Sequence, residues 1–531
     1  MTATTPQAGQ SQAARLARHS ALLLLQSITT TVLGLMGFAF LARALTAEEM
    51  GAVVGLTFVS GIAGLLADLG LSASTAKHVA EFRGAGKDYT RIIFAGVAVK
   101  IALGIAFGGL TMAVADQLSA SVLGSSVYRE AFILVGADMA LVIVNAALTN
   151  SLLGLNMISG MAAVSVGSSV VRLSVLLVAL ASGLGLDGYV LSWVASSATS
   201  VILGLALLFS GRHLRAHGPT TMVRTLRVLL EFSWPLYINS IASFLYSMLD
   251  RAVLLVYLPL AQAGVYNVAN TAFGVIALVP SAMSTVLFPF YTEKVGGNEQ
   301  ESIKAGIKEA SRYVVLVYAP VALGAAAVAN PTISLLAGAS YAGADILFIT
   351  LSLFGLLTSL GAAFGGLMLS YGMTKAILLV NLASTAIGLA SSVALVPPLG
   401  GFGVALTRGL SMTASFLMTF VFLSGRTNAK VDAEGIAKGL ISAIVMTCAV
   451  VLVQAIWFNR YLLPVYVAAG VVTYFAALKL LRALRPGDFR LAKEVLGGRL
   501  NNMVNAAERL LSRTGDELLD ENDGSETRGI L

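Results

Sequence analysis

The chain has 531 residues, 57% of them hydrophobic and 11% charged, with a formal net charge of +7. Soluble domains carry about 25% charged residues, so this composition, with a mean hydropathy of +0.85, excludes a soluble protein. One cysteine, Cys448, excludes an intramolecular disulfide framework and any cysteine-based metal site.

Residues 1–18 are polar and expected to be disordered. The apolar run that follows, 19–42, is too long for the core of a signal peptide and lacks a small-residue cleavage site. It opens a series of fourteen apolar segments, near 19–42, 51–69, 92–115, 129–153, 161–181, 187–210, 231–257, 264–291, 311–330, 344–369, 374–395, 402–424, 436–457 and 461–482. Each is about the length needed to cross a bilayer as a helix. An even number of spans puts both termini on one side. With that side inside, 27 of the 34 Lys and Arg fall in inner segments and only Arg43, Arg129 and Arg460 in outer ones. The positive-inside rule therefore orients both termini towards the cytoplasm.

A repeat sits within the series. The second span is entered through Leu45-Thr-Ala-Glu-Glu-Met-Gly51 and the eighth through Leu258-Pro-Leu-Ala-Gln-Ala-Gly264, each a Leu, five residues and a Gly. An offset of six spans preserves orientation, so the halves should be related by an axis along the membrane normal. The expected fold is all-α: an N-terminal six-helix bundle (19–210), a cytoplasmic linker (211–230), a C-terminal six-helix bundle (231–424) and two additional spans (436–482). From 483 to 531 runs a cytoplasmic tail. Its apolar residues between Asp488 and Arg513 recur at helical steps among basic ones, which reads as an amphipathic helix on the inner leaflet or against a partner protein.

The remaining cations, Lys100, Arg172, Arg251 and Arg408, each fall inside a span, with Asp138 and Asp250 as the clear balancing anions. A central Arg costs about 2.5–3.5 kcal/mol on insertion scales, so chains keep one where it faces a cavity, a partner charge or a ligand. Snorkelling to an interface is the alternative, and it suits Lys100 and Arg408, nearer their span ends, better than Arg172. Asp250 and Arg251 are neighbours about 100° apart on a helix and cannot face each other. Together these residues predict a polar cavity with a cationic excess.

Other motifs carry little. His19, His78, His213 and His217 lie in or beside polar segments and are expected to be solvated. Gly183-Leu-Gly-Leu-Asp-Gly188 has dinucleotide-binding spacing but lies in a turn between two spans, with no βαβ unit around it. No Walker A, HExxH or Cys/His cluster is present, so neither an enzyme nor a cofactor is expected.

Two stretches, Phe40 to Gly86 and Trp234 to Tyr291, resemble the polysaccharide biosynthesis flippases of the multidrug, oligosaccharidyl-lipid and polysaccharide exporter superfamily. The recognisable pieces are the Ala-Asp68-Leu-Gly-Leu turn, the Leu-Asp250-Arg251 pair and the Leu-Phe-Pro289 exit. The resemblance implies a flippase that turns a polyprenyl-(di)phosphate-linked oligosaccharide from the inner to the outer leaflet of the cell membrane by alternating access. It also implies membrane lipids, and glycan polymerases or glycosyltransferases, as partners, and no nucleic acid. Arg172 and Arg251, assisted by Lys100 and Arg408, would hold phosphate oxygens, and Asp250 and Asp138 would serve as ion-pair or coupling groups. The rival readings are an organic-cation exporter of the same superfamily, which the cationic excess opposes, and a membrane scaffold without transport.

Overall fold

A computed structural model describes residues 6–211, 213, 219–427, 431–485, 487, 488 and 505, and every regular element among them is helical. They fall into two compact units, residues 1–267 and 268–531.

The first unit holds α1 (Pro6–Ala44), α2 (Ala47–Asp68), α3 (Leu71–Gly84), α4 (Thr90–Ala113), a short α5 (Ala115–Leu123), α6 (Arg129–Gly154), α7 (Ile158–Ala181), α8 (Gly185–Ser210) and α9 (Pro219–Tyr257), with the first turns of α10 (Leu260–Ile276). The disorder expected of residues 1–18 is corrected for 6–18, which continue α1; Ala, Gln and Arg there are good helix formers. Thr46 caps α2 in a capping box with Glu49, each satisfying the other's backbone N–H. The helix ends at Leu69 and Gly70, both with positive φ, 48° and 70°. A side chain at Gly70 would also meet the Ser233 carbonyl of α9 at 2.8 Å, so the turn requires glycine twice over.

The amphipathic α3 lies against α6, α9 and α4. Leu71 and Val79 join Ile92, Ile93, Leu148 and Leu152 in one buried cluster, with Phe82 packed on it. His78 falls on the same helical face, so its expected solvation is corrected: it is buried, its Nδ1 2.9 Å from the Ser74 carbonyl.

The repeat is visible as packing. A Cβ on Gly51 would lie 1.9 Å from the Leu260 carbonyl oxygen, and a Cβ on Gly264 would lie 1.9 Å from the Ala47 carbonyl oxygen. One sequence offset relates Gly51 to Gly264 and Ala47 to Leu260, so the start of α2 and the start of α10 cross as symmetry-related equals. Only glycine permits that approach of backbone to backbone.

The second unit continues with α11 (Leu278–Gly296), α12 (Gln300–Ala327), α13 (Ala329–Ala337), α14 (Ala344–Thr358), α15 (Gly361–Ser370), α16 (Thr374–Thr427), α17 (Ala433–Ile456) and α18 (Leu463–Leu480). Among the described residues, twelve helices are long and apolar enough to cross a membrane, or thirteen with α14 and α15 as one span bent by 52°. Those counts take the 54 residues of α16 as a single helix. At about 1.5 Å per residue it would be more than twice as long as a bilayer's hydrocarbon is thick. Pro397 and Pro398 lie inside it, and Gly400 leaves helical geometry (φ 55°, ψ −134°). Dividing it there gives the fourteen passes expected from the sequence.

Beyond α18 the chain returns to α12. The Arg312 guanidinium, 1% exposed, holds both carboxylate oxygens of Asp488 and reaches Glu309 at 3.2 Å. Tyr313 also donates to Asp488, at 2.7 Å. Arg485 donates to Asp432 at 2.6 Å and to Glu309 at 3.2 Å. Asp432 accepts from the Gly435 N–H at the start of α17. This ionic knot joins α12, α17 and the segment after α18. The expected tail helix lies outside the described residues, apart from Asp488 and Asn505.

Candidate functional site

Lys100, expected in the cavity, is on α4 and only 2% exposed. Its Nζ donates to Asp68 Oδ1 at 2.7 Å and to the carbonyls of Ala67 at 3.1 Å and Asp68 at 3.3 Å. An ammonium has three donors, and all three are taken. Lys100 therefore closes the C-terminus of α2, where the helix dipole and the last free carbonyls favour a cation. It has no donor left for a phosphate.

Asp138 and Arg172 do come together. They line a cavity of about 260 Å³ in the first unit with Thr57, Val142, Trp193, Ser196 and Ser197. Asp138, on α6, is 4% exposed and accepts from the Ser197 hydroxyl of α8 at 2.6 Å. Arg172, on α7, is exposed and reaches across to α8. Its guanidinium carbon is 5.7 Å from the ring centroids of Tyr189 and Trp193, and it donates to the Tyr189 hydroxyl at 3.3 Å. The cation is thus carried on aromatic faces rather than on a carboxylate. Asp138, Arg172, Trp193 and Thr57 each lie eight to ten residues from one end of their helix, so the four helices bring them to one depth, about 12–15 Å in.

Asp250 and Arg251 diverge on α9, as their helical offset requires. Asp250 is buried; its Oδ2 accepts from Tyr266 of α10 at 3.1 Å, and its Oδ1 accepts no hydrogen bond among the described residues. Arg251 is half-buried, and its guanidinium contacts the Met248 thioether at 3.1 Å. Among the described residues no carboxylate lies within ion-pair reach of it. Arg408 is half-buried on α16 in the second unit.

Sequence reasoning missed Trp193 on the cavity wall and Tyr189 beside Arg172. Tyr189, Trp193 and Ser197 recur every four residues and so share one face of α8. That spacing was visible, but it also describes an ordinary packed helix. Asp68 stood out only as a turn residue; nothing in the sequence ties it to Lys100.

The profile of a family described as polysaccharide biosynthesis protein matches residues 16–294, more than half of the chain. The chain belongs to this family. One relative is the probable low-salt glycan biosynthesis flippase Agl15 of Haloferax volcanii, 23% identical over 436 residues, covering 81% of this chain and 88% of the relative. Among solved structures, the lipid II flippase MurJ in an inward closed conformation aligns with a TM-score of 0.70 at 12% identity, over 86% of this chain and 98% of that one. An inward-facing multidrug resistance MATE family transporter of the MOP superfamily aligns with a TM-score of 0.65 at 16% identity, over 75% and 94%. These likenesses establish the fold of the family member described here: a multi-span membrane protein built like the MurJ flippase and the MATE transporter.

Proposed function

We propose that the protein is a flippase that carries a polyprenyl-(di)phosphate-linked oligosaccharide from the inner to the outer leaflet of the cell membrane by alternating access, for assembly of a cell-surface glycan. Both termini would be cytoplasmic. The observation that carries this reading is Arg251, an intramembrane guanidinium with no carboxylate among the described residues to neutralise it, on a chain of the polysaccharide biosynthesis family. Such a charge is costly in the bilayer unless a ligand or cavity offsets it, and its planar fork suits two phosphate oxygens. Arg172 supplies a second cation, at the headgroup. An apolar groove of about 620 Å³ between α12, α17 and α18, walled by residues such as Pro320, Val450, Val471 and Phe475, has the chemistry to accept a prenyl chain. Lys100 acts in this scheme as a helix cap, and Arg408 is kept as a candidate phosphate contact.

The test is complementation of a deletion strain, read as lipid-linked glycan at the outer surface. Arg251→Ala should abolish it at normal protein levels, because no carboxylate among the described residues is left stranded. Arg251→Lys, which keeps the charge but loses the fork, should be intermediate. Full surface glycan with Arg251→Ala, or restored transport in Asp250→Asn with Arg251→Gln, would refute Arg251 as the phosphate ligand.

A further inference from the structure

Resting on the flippase reading, we propose that the Asp138–Arg172–Trp193 cavity is a subsite for a neutral sugar ring of the headgroup, gripped through neighbouring hydroxyls rather than through phosphate. The inventory of donors and acceptors decides this. The hydroxyls on the wall have spent their protons: Thr57 on carbonyls of its own helix, Ser196 on the Ser168 carbonyl and Ser197 on Asp138. What they and Asp138 offer a ligand is lone pairs. Two donor-bearing side chains share that lining. Arg172 has five N–H bonds, one of them given to Tyr189. Trp193 is 8% exposed, lines the cavity, and its Nε1–H has no hydrogen-bond partner among the described residues.

A ligand completing this site must therefore donate and accept within a few ångströms. A phosphate only accepts, and it would set its charge against the Asp138 carboxylate. An organic cation brings no acceptor at its charged centre, and it would meet Arg172. A vicinal diol does both: one hydroxyl donates to Asp138 while its neighbour accepts from Arg172 or Trp193. A buried indole N–H left unpaired is costly, and a sugar hydroxyl would satisfy it on binding. The Trp193 ring on the cavity wall adds apolar surface for the C–H face of a pyranose. The cavity's common depth places it in the half of the membrane that the charge distribution assigns to the outside, away from Lys100 and Asp68.

The experiment uses the full-length protein in detergent with Trp234→Phe and Trp457→Phe, both exposed positions outside the cavity, so that Trp193 is the sole tryptophan. Its emission is titrated separately with methyl glycosides of glucose, galactose and mannose, with pyrophosphate, and with tetraphenylphosphonium. A saturable response to at least one glycoside, weakened at least tenfold by Asp138→Asn and by Arg172→Gln with unchanged thermal stability, is expected. If either variant unfolds, the glycoside response of the parent, competed away by a second glycoside of the same diol geometry, supports the proposal instead. Saturation by pyrophosphate or by the phosphonium alone, or no glycoside response, would overturn it. The flippase reading is tested apart, by transfer of a polyprenyl-diphosphate glycan in proteoliposomes. Transfer without glycoside binding removes only the sugar subsite, and absence of transfer removes the flippase reading whatever Trp193 reports.

Discussion

Two intramembrane cations of this chain look alike in sequence and differ in what surrounds them. Lys100 is buried against a carboxylate and two carbonyls, whereas Arg251 meets a thioether. Their substitutions should therefore fail in different ways. Breaking a buried pair costs about 3–5 kcal/mol, and Asp68, whose side chain is 29% exposed, puts Lys100→Met at the low end of that range. Lys100→Met should lower the thermal stability of the detergent-extracted protein, and adding Asp68→Asn should restore part of it. A Lys100→Met protein as stable as wild type but inactive in transport would return Lys100 to the list of substrate ligands. The cationic excess in the spans was legible in the sequence. The sorting of those cations into cap and ligand was not, because it depends on which helix end lies beside each one in space.

Helix ends and crossings carry the next level. The crossing of α2 and α10 leaves no room for a Cβ at Gly51 or Gly264, while Gly64, on the same α2, has nothing within 4 Å of its would-be Cβ. Overpacking typically costs 1–3 kcal/mol, so Gly51→Ala should lower the melting temperature clearly and Gly64→Ala should not. Equal effects would mean that the close approach is absent from the folded protein in the membrane. At the start of α17, the Asp432 carboxyl is raised by its burial, but the Gly435 N–H and Arg485 outweigh this and hold it below the ordinary carboxylate value. A depressed folded value contributes stability that is present above the unfolded value, about 3.9, and lost as pH falls through the folded one. Thermal stability should thus fall on acidification below about pH 4, and less steeply in Asp432→Asn than in wild type. The Leu-x5-Gly repeat was legible, but the crossing it makes was not; nor was the knot around Arg312, since Asp488 and Arg312 are far apart in sequence and each resembles an ordinary solvated charge.

For the whole molecule, hydropathy carried most of the information. Fourteen apolar segments correspond to fourteen helical passes once α16 is divided at Gly400 and α14 with α15 is counted as one bent span. The broken spans were not anticipated, because a turn such as Ser359–Leu360 within an apolar run leaves hydropathy unchanged. Orientation rests on charge asymmetry, and it predicts that a cysteine at Ser126, in a Cys448→Ala background, is labelled from outside intact cells while one at Gly296 is not. Labelling of Gly296 from outside would reverse the topology and, with it, the side assigned to the Asp138–Arg172 cavity.

The central claim is movement of a lipid-linked glycan across the bilayer, and its most direct test is reconstitution. Proteoliposomes carrying a polyprenyl-diphosphate oligosaccharide would be followed by the fraction of glycan accessible to an added, membrane-impermeant glycosidase. The wild-type protein should render glycan from the inner leaflet accessible over time, and Arg251→Ala should slow this to the rate of protein-free vesicles. Accessibility that stays at the protein-free level with wild type, or an equal rate with Arg251→Ala, would contradict the account.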